Sequence, residues 1–453
     1  MICPSGHPYN SLLNRFCLSC TKEHLIQEFK TWSSGDANID KIVQKSQINC
    51  RYNKLYWIPY DNFQNIKHIA DGGRGSVYSA ELENGIKWDW NFIKQEWEYH
   101  SIGKKVALKE ITDCRYDIAE FLKVIKTTHD YYYDYFATYY GISKNPSTQN
   151  YIIVMKSVNG DLPNYLTKTF WDLGWETKIG ILGSIAYGLE SLHDKNLVHC
   201  NLHSGNILID PDLDLRIDLD SCKLENDLIL NADNKISKIY GSIPYIPPEV
   251  LRGNKFTIEG DIYSFSGIMY EIVTAQRPFA DQAHDTYLMI DICNGVRPKV
   301  PDFMLSWIPE WYLDLMYRCW SDDPSERPTG AELSNLFGEA SYKLYRKIVD
   351  DDVMHQLQIS DENQNNTSKS QKQELFELFS HSNKLHPQSC YISRNIHTLH
   401  GLHDLLEEIK SGKSPDPNLL LKSNESTTSS VNIDKEVEIR SKKKNDISTM
   451  DWE

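Results

Sequence analysis

Five side chains stand where chemistry could be done. Lys109 ends the apolar strand-like run KKVALKEI, an odd place for a lysine unless its ammonium meets an anion such as a nucleotide phosphate. Further along, LVHCNLHSGNILI sets His199, Asn201 and Asn206 in a polar loop between a helical stripe and an apolar strand, and Asp218 follows in LRIDLDSCKL. Amide and carboxylate oxygens of this kind suit Mg²⁺. Upstream, IADGGRGSVYSA spaces Gly72 and Gly75 three residues apart, with Val77 two residues later. Glycines there let backbone amides approach a phosphate closely, although a plain hairpin would use the same residues.

A second group lies at the N-terminus. Cys3 and His7 form CxxxH, and after a gap of nine residues Cys17 and Cys20 form CxxC. The four could wrap one tetrahedral, structural zinc; buried thiols alone are the alternative. His397, His400 and His403 share helical spacing but lack a cysteine or carboxylate to complete a metal site, so solvated histidines are expected.

The elements that must position these residues follow from periodicity. A helix-like stretch covers Lys22 to Trp32, with Leu25, Ile26 and Phe29 on one face. From Phe63 the pattern turns to β-type runs broken by glycines, including KKVALKEI and QNYIIVMKSV. The tryptophan-rich stretch between Leu82 and Lys104 is longer than a hairpin turn needs and is expected to be an elaborated strand hairpin. Beyond Leu162 the period becomes helical, with Ile179, Leu182, Ile185, Ala186, Leu189 and Leu192 in one stripe. After about Val353 the chain is rich in Asn, Ser, Gln and Lys, and a largely disordered tail is expected. Short helices are expected within it at Glu374 to Phe379 and Leu399 to Lys410; the run Lys442 to Lys444 carries no assigned role.

A net charge of −15 argues against nucleic-acid binding as the main activity. No apolar stretch is long enough to span a bilayer, and the first residues lack a secretory core, so a cytoplasmic protein is expected, with the nucleus as the other compartment. Ten cysteines dispersed over 453 residues suggest reduced thiols.

Taken in order, these segments resemble the protein-kinase signature set, most closely the tyrosine-kinase-like group, from about Phe63 to Tyr345. GSIPYIPPEVL resembles the end of an activation segment, GDIYSFSGIMYEI the buried helix after it, and RCWSDDPSERP the closing helical pair. The resemblance implies an α+β, bilobal kinase fold: a five-stranded antiparallel N-lobe sheet with one main helix over 61–156, and a mostly helical C-lobe over 157–345. A Cys/His module and helical linker would precede it over 1–60, and a mostly disordered tail would follow over 346–453. It also implies ATP held by Ala70, Gly72, Gly73, Gly75, Val77, Ala107, Lys109, Met155, Ser157 and Leu208, with Mg²⁺ on Asn206 and Asp218. Glu249 should pair with Arg327, and Asp261 should accept backbone hydrogen bonds from the catalytic loop.

The departures from the family pattern concern catalysis. Asn201 stands where active kinases carry the aspartate that accepts the substrate hydroxyl's proton, and a neutral amide cannot take it. Val124 stands near the position of the helix glutamate that pairs with the strand lysine, with Glu120 one turn away as a substitute. The DFG triad reads Asp218, Leu219, Asp220, placing a carboxylate where glycine is usual. Cys200 replaces the arginine that grips a phosphorylated activation loop, so switching through Ser237 or Tyr240 by that route is not expected. Arg74 at the glycine-loop tip has no explanation in the sequence, and His203 replaces a residue often used to infer Ser-versus-Tyr preference. The expected function is a catalytically impaired pseudokinase that binds ATP and Mg²⁺ and acts on signalling partners. The alternative is an active or weakly active kinase transferring the γ-phosphate to Ser, Thr or Tyr of protein substrates.

Overall fold

The computed structural model describes residues 2–8, 16–50, 54–128, 135–210, 214–229, 235–348, 352–382 and 386–419. The chain divides into two compact units, the first made of Met1–Tyr165, Ser191–His199 and Gly205–Leu224, the second of Leu166–Glu190, Cys200–Ser204 and Glu225–Glu453.

The first unit opens with helices α1 (Leu18–Glu28) and α2 (Ala37–Asn49), the latter capped by the Asp36 carboxylate on the amides of Asn38 and Ile39. Strands β1 (Tyr56–Trp57), β2 (Phe63–Gly72), β3 (Gly75–Leu82), β4 (Ile86–Asn91), β5 (Glu96–His100), β6 (Lys105–Ile111), β7 (Tyr139–Lys144) and β8 (Tyr151–Lys156) follow, with helix α3 (Ile118–Thr128) between β6 and β7. The main sheet runs β1-β7-β8-β6-β3-β2. Five of these strands are antiparallel, as expected; the sixth, β1, joins in parallel beside β7. Gly141 permits that addition, because a Cβ there would lie 1.8 Å from the Tyr56 carbonyl oxygen. Short strands β9 (Gly160–Asp161), β10 (Leu197–Val198), β11 (Ile207–Ile209), β12 (Leu215–Ile217) and β13 (Lys223–Leu224) complete the unit.

Alternation along β6 divides the work of the sheet. Val106 and Leu108 enter a core with Leu82, Ile152 and Val154, which turns Ala107 and Lys109 to the opposite face. Helix α3 buries Ile118, Phe121, Leu122 and Ile125. β4 and β5 form the expected hairpin, and its Trp90 stacks on His24 of α1 at 3.7 Å while Lys87 pairs with Glu28 at 2.6 Å. The N-terminal residues are therefore built into the same compact unit as the sheet, and residue 60 is not a structural boundary.

The second unit is mostly helical: α4 (Leu162–Thr169) and α5 (Trp175–His193), inside both of which a unit boundary falls, then α6 (Glu225–Ile229), α7 (Pro248–Leu251), α8 (Ile258–Thr274), α9 (Thr286–Cys293), α10 (Glu310–Cys319) and α11 (Gly330–Arg346). Helix α8 is buried from Gly260 to Thr274, and Arg327 grips Glu249 through two bonds of 2.7 and 2.9 Å, the expected ion pair.

The segment after residue 346 differs from its expected disorder. Helices α12 (Asp352–Asn366) and α13 (Lys369–Ser382) form, and the Asp361 carboxylate accepts the Trp175 amide at 3.0 Å while Gln364 accepts from Lys178 at 3.0 Å. A strand β15 (Arg394–His397) pairs with β14 (Lys238–Gly241), and a 3-10 turn leads into α14 (Leu406–Lys410). Composition concealed this because the stabilising surface belongs to the helical unit: Met354, Leu357, Ile396, Leu399 and Leu402 are buried one by one, at wide spacing along a polar chain. The remaining expectation of disorder, over 420–453, and the Lys442 to Lys444 run fall outside the described residues.

Candidate functional site

Strand register gathers the residues expected to hold nucleotide. Val77 lies opposite both Ala70 and Lys109, Ala107 lies opposite Met155, and Gly72 opposite Gly75. Directly paired residues share a face, so these side chains line one surface of the sheet, with Gly73 in the turn and Ser157 following β8. Leu208 sits in β11 opposite Arg216 and Asp161, and the Asn206 carbonyl accepts the Asp218 amide at 2.9 Å. Gly75 has a structural reason of its own to be glycine, since a Cβ would lie 1.9 Å from the Glu110 carbonyl oxygen.

The charges on this face form a closed cluster. Lys109 Nζ donates to Asp218 Oδ2 at 3.2 Å and to Asp220 Oδ2 at 2.5 Å. Burial opposes its charge, yet Asp218 and Asp220 together hold its ammonium well above the usual lysine range. Burial likewise penalises ionised Asp220, but Lys109 and then Arg74 overcome that and keep its carboxyl strongly acidic. The second Asp218 oxygen accepts from Tyr139 Oη at 2.7 Å, and the same phenol accepts the Leu219 amide at 2.8 Å. Burial and then the Asp218 charge push that phenol far above its ordinary range.

Arg74 now has an account. Its guanidinium donates to the Asp220 carbonyl at 2.7 Å and lies over the Tyr116 ring at 4.8 Å, tying the glycine turn to the residue that replaces the DFG glycine. Val124 is fully buried in α3, and among the described residues Glu120 makes no ion pair, so the lysine's counter-charge comes from Asp218 and Asp220. Asp218, Asp220 and Asn206 make an oxygen-rich donor set beside a buried cation, chemistry that fits a hard divalent ion and a phosphate.

The N-terminal quartet converges as its spacing suggested. One ligand atom each from Cys3, His7, Cys17 and Cys20 lie within 4.8 Å of one another. Cys3 and Cys20 sulfurs are 3.5 Å apart, and His7 Nδ1 is 3.7 and 3.5 Å from them. Glu23 accepts from His7 Nε2 at 3.2 Å, which directs Nδ1 toward the sulfurs. Nothing in the motif spacing pointed to Glu23.

In the helical unit the catalytic-loop residues are held separately. Cys200 adopts a left-handed backbone (φ 65°), and its backbone amide donates a hydrogen bond to Asp261 Oδ1 at 3.1 Å, the expected architectural contact. Glu271, in α8, accepts from Tyr245 Oη at 2.5 Å and from Ser204 Oγ at 2.8 Å. A glutamate inside the apolar run GIMYEI was the available signal for it. Asn201 Oδ1 accepts from Ser393 Oγ at 3.0 Å, and His203 Nε2 meets the same hydroxyl at 2.9 Å. Nothing in the sequence linked Ser393 to this loop. His397, His400 and His403 do not converge on a metal-type cluster among the described residues. No helix among them is long and apolar enough to cross a membrane.

Comparison with known proteins accords with this geometry. The family model of protein tyrosine and serine/threonine kinases matches residues 63–337. The chain is 27% identical over 293 residues to the probable serine/threonine-protein kinase roco5 of Dictyostelium discoideum, covering 60% of this chain and 10% of that protein. It is 27% identical over 274 residues to human receptor-interacting serine/threonine-protein kinase 4, covering 59% and 30%. It is 29% identical over 277 residues to mouse ankyrin repeat and protein kinase domain-containing protein 1, covering 59% and 35%. The chain thus spans about a third or less of the length of these relatives.

Proposed function

From the premise that this chain belongs to the protein tyrosine and serine/threonine kinase family, we propose that it is a catalytically impaired member that binds ATP and Mg²⁺ and works by engaging signalling proteins. The observation that carries this reading is the amide at Asn201: its Oδ1 already accepts a serine hydroxyl at 3.0 Å, so it orients an alcohol without being able to take its proton. The neutralised lysine supports the same reading, because a phosphate entering beside Lys109 must compete with two carboxylates.

Asn206 and Asp218 would hold Mg²⁺, and Lys109 would contact the phosphates. When bound, the metal ion neutralises charge developing on the transferred phosphoryl oxygens. The chain's own contributions are positional. The glycine turn is tethered by Arg74, Asp218 is oriented by Tyr139, and the acceptor hydroxyl is aligned by Asn201 and His203. Cys3, His7, Cys17 and Cys20 would hold a structural zinc that fixes α1 against the β4–β5 hairpin, whose Phe92 packs on the cysteines.

The retention of Lys109, Asn206 and Asp218 favours a second reading, a weakly active protein kinase. The two are separated by measuring thermal stabilisation by ATP with and without Mg²⁺, alongside γ-phosphate transfer by wild type, Lys109→Met and Asn201→Asp. Stabilisation without transfer supports the impaired reading. Wild-type transfer abolished by Lys109→Met establishes the enzyme. No stabilisation by ATP refutes nucleotide binding.

A further inference from the structure

We propose that residues 386–419 are an internal acceptor mimic, seated on the surface where a hydroxyl-bearing peptide would be presented, with Ser393 in the place of the acceptor hydroxyl. The inference rests on reading Asn201 as the residue at the acceptor position, and it names the occupant of that position.

Three independent features place the segment. First, β15 runs antiparallel to β14, pairing Lys238 with His397, Ile239 with Ile396, Tyr240 with Asn395 and Gly241 with Arg394. An extended strand added to the edge offered by the activation segment supplies main-chain affinity, and its alternate side chains supply selectivity. Second, Ser393 leads into that strand and is buried, its hydroxyl accepting from His203 Nε2 at 2.9 Å and donating to Asn201 Oδ1 at 3.0 Å. His203 and Asn201 therefore converge on one serine hydroxyl. Third, the seat requires close backbone approach: a Cβ on Gly401 would lie 2.2 Å from the Ser237 carbonyl oxygen, so only glycine fits there.

The segment is anchored beyond the hydroxyl. Arg394 donates to the carbonyls of His284 and Asn418, at 2.9 and 2.6 Å. Asn418 in turn holds the His397 amide at 2.8 Å, which locks the strand's far end. These contacts define the competitor the groove would accept: an extended peptide with serine, then arginine, and an apolar side chain three positions after the serine, where Ile396 is fully buried.

The test uses the full chain and Gly401→Val, with Asn418→Ala as a second variant that leaves the Gly401 contact intact. Hydrogen exchange at the amides of 238–241 and 394–397 is measured in each, together with binding of a fluorescent peptide spanning residues 388–402. Release of the segment should speed exchange about tenfold or more in both stretches. The peptide should bind the variants about tenfold or more tightly than wild type, and a peptide carrying Ser393→Ala should bind more weakly. Unchanged exchange, or equal peptide binding by wild type and both variants, overturns the proposal. ATP stabilisation, followed in the same samples, reports on the nucleotide reading alone, so either claim can fail while the other stands.

Discussion

Lys109 takes its second counter-charge, beside that of Asp218, from Asp220, with Nζ 2.5 Å from Oδ2, and not from helix α3. Two departures from the family pattern are thereby halves of one exchange. Val124 removes a carboxylate from the helix and is buried among Phe121, Leu122 and Ile125, while Asp220 returns a carboxylate through the position where glycine is usual. A buried lysine with one carboxylate fewer would be less well compensated, so the two departures offset one another. The same exchange sets a cost on nucleotide binding, since the lysine is already engaged.

Asp220→Gly follows directly. Removing the closer carboxylate leaves Lys109 with Asp218 at 3.2 Å, so the unliganded protein should lose about 2 kcal/mol, less than the 3–5 typical of a fully broken buried pair. MgATP affinity should rise about tenfold as the competing charge goes. Urea denaturation and calorimetric titration check both. Weaker MgATP binding in the variant would show Asp220 to be a ligand of the site and not its competitor.

Much of this was legible in the sequence and the rest was concealed for definable reasons. Motif order marked the sheet, the glycine turn, Lys109, Asp218 and the Glu249–Arg327 pair, because each needs a residue type that a hairpin or helix would not otherwise select. The convergence of Cys3, His7, Cys17 and Cys20 followed from ligand spacing. Long-range satisfaction was not legible. Arg74 with the Asp220 carbonyl, Glu23 with His7 and Ser393 with Asn201 join residues 146, 16 and 192 positions apart, and no local pattern encodes such partners. The docked segment was concealed for a related reason, since Ile396 and Leu399 are buried singly along a polar chain, while the cluster of Leu402, Leu406 and Ile409 was its legible part.

The N-terminal quartet predicts one zinc per chain. Metal analysis should find it, and a strong chelator should lower the melting temperature of the first unit with loss of the α1 contacts. Glu23→Gln keeps all four ligands yet weakens the hydrogen bond that orients His7, so zinc affinity should fall about tenfold. A chain that purifies without zinc and is indifferent to chelator would refute the site.

Lys178 is held inside the helical unit beside Trp175 and Phe170, donating to Gln364 at 3.0 Å. Burial pulls its ammonium from 10.5 down to about 8, against the attraction of Asp361. Between those values the unfolded chain binds more protons, so this lysine's penalty is complete below pH 8 and is relieved as pH rises toward 10.5. Lys178→Met should therefore stabilise the protein at pH 7 by about 1–2 kcal/mol, after allowing for the lost bond to Gln364. The gain should shrink as pH approaches 10, as followed by denaturation at several pH values. A pH-independent difference would mean that packing and not ionisation separates the two proteins.

His284 makes the seat of residues 386–419 sensitive to acid. Its Nε2 lies 3.1 Å from the Phe279 carbonyl, and Nδ1 lies 2.7 Å from the Cys390 carbonyl and 3.0 Å from the Cys390 amide, in a buried pocket that disfavours the charged ring. Burial lowers it from 6.5 to about 4, and although the backbone bonds oppose this, Arg394 and His386 add to the fall. Its contribution is complete above pH 6.5 and is lost as pH falls toward 4, with the unfolded or released chain binding the extra proton. Exchange at the amides of 238–241 should be protected at pH 7.5 and, once corrected for intrinsic rates, measurably less so at pH 5. Equal protection at both values would sink the assignment.

The last test joins the acceptor loop to its occupant. Asn201→Asp would set a carboxylate about 3 Å from Ser393 Oγ, where the amide oxygen now lies, and a carboxylate can take a hydroxyl proton as an alcohol oxygen displaces ADP from the γ-phosphorus of ATP. Restoring the base should raise transfer about a hundredfold or more, and because Ser393 holds the acceptor position, the label should appear there first, at a rate independent of protein concentration. An added peptide should be labelled efficiently only when Gly401→Val is combined with Asn201→Asp, since the groove must first be vacated. Mass spectrometry of the labelled chain, with peptide phosphorylation measured in parallel, distinguishes these outcomes. Equal transfer by wild type and Asn201→Asp would show that the missing proton acceptor does not limit this protein.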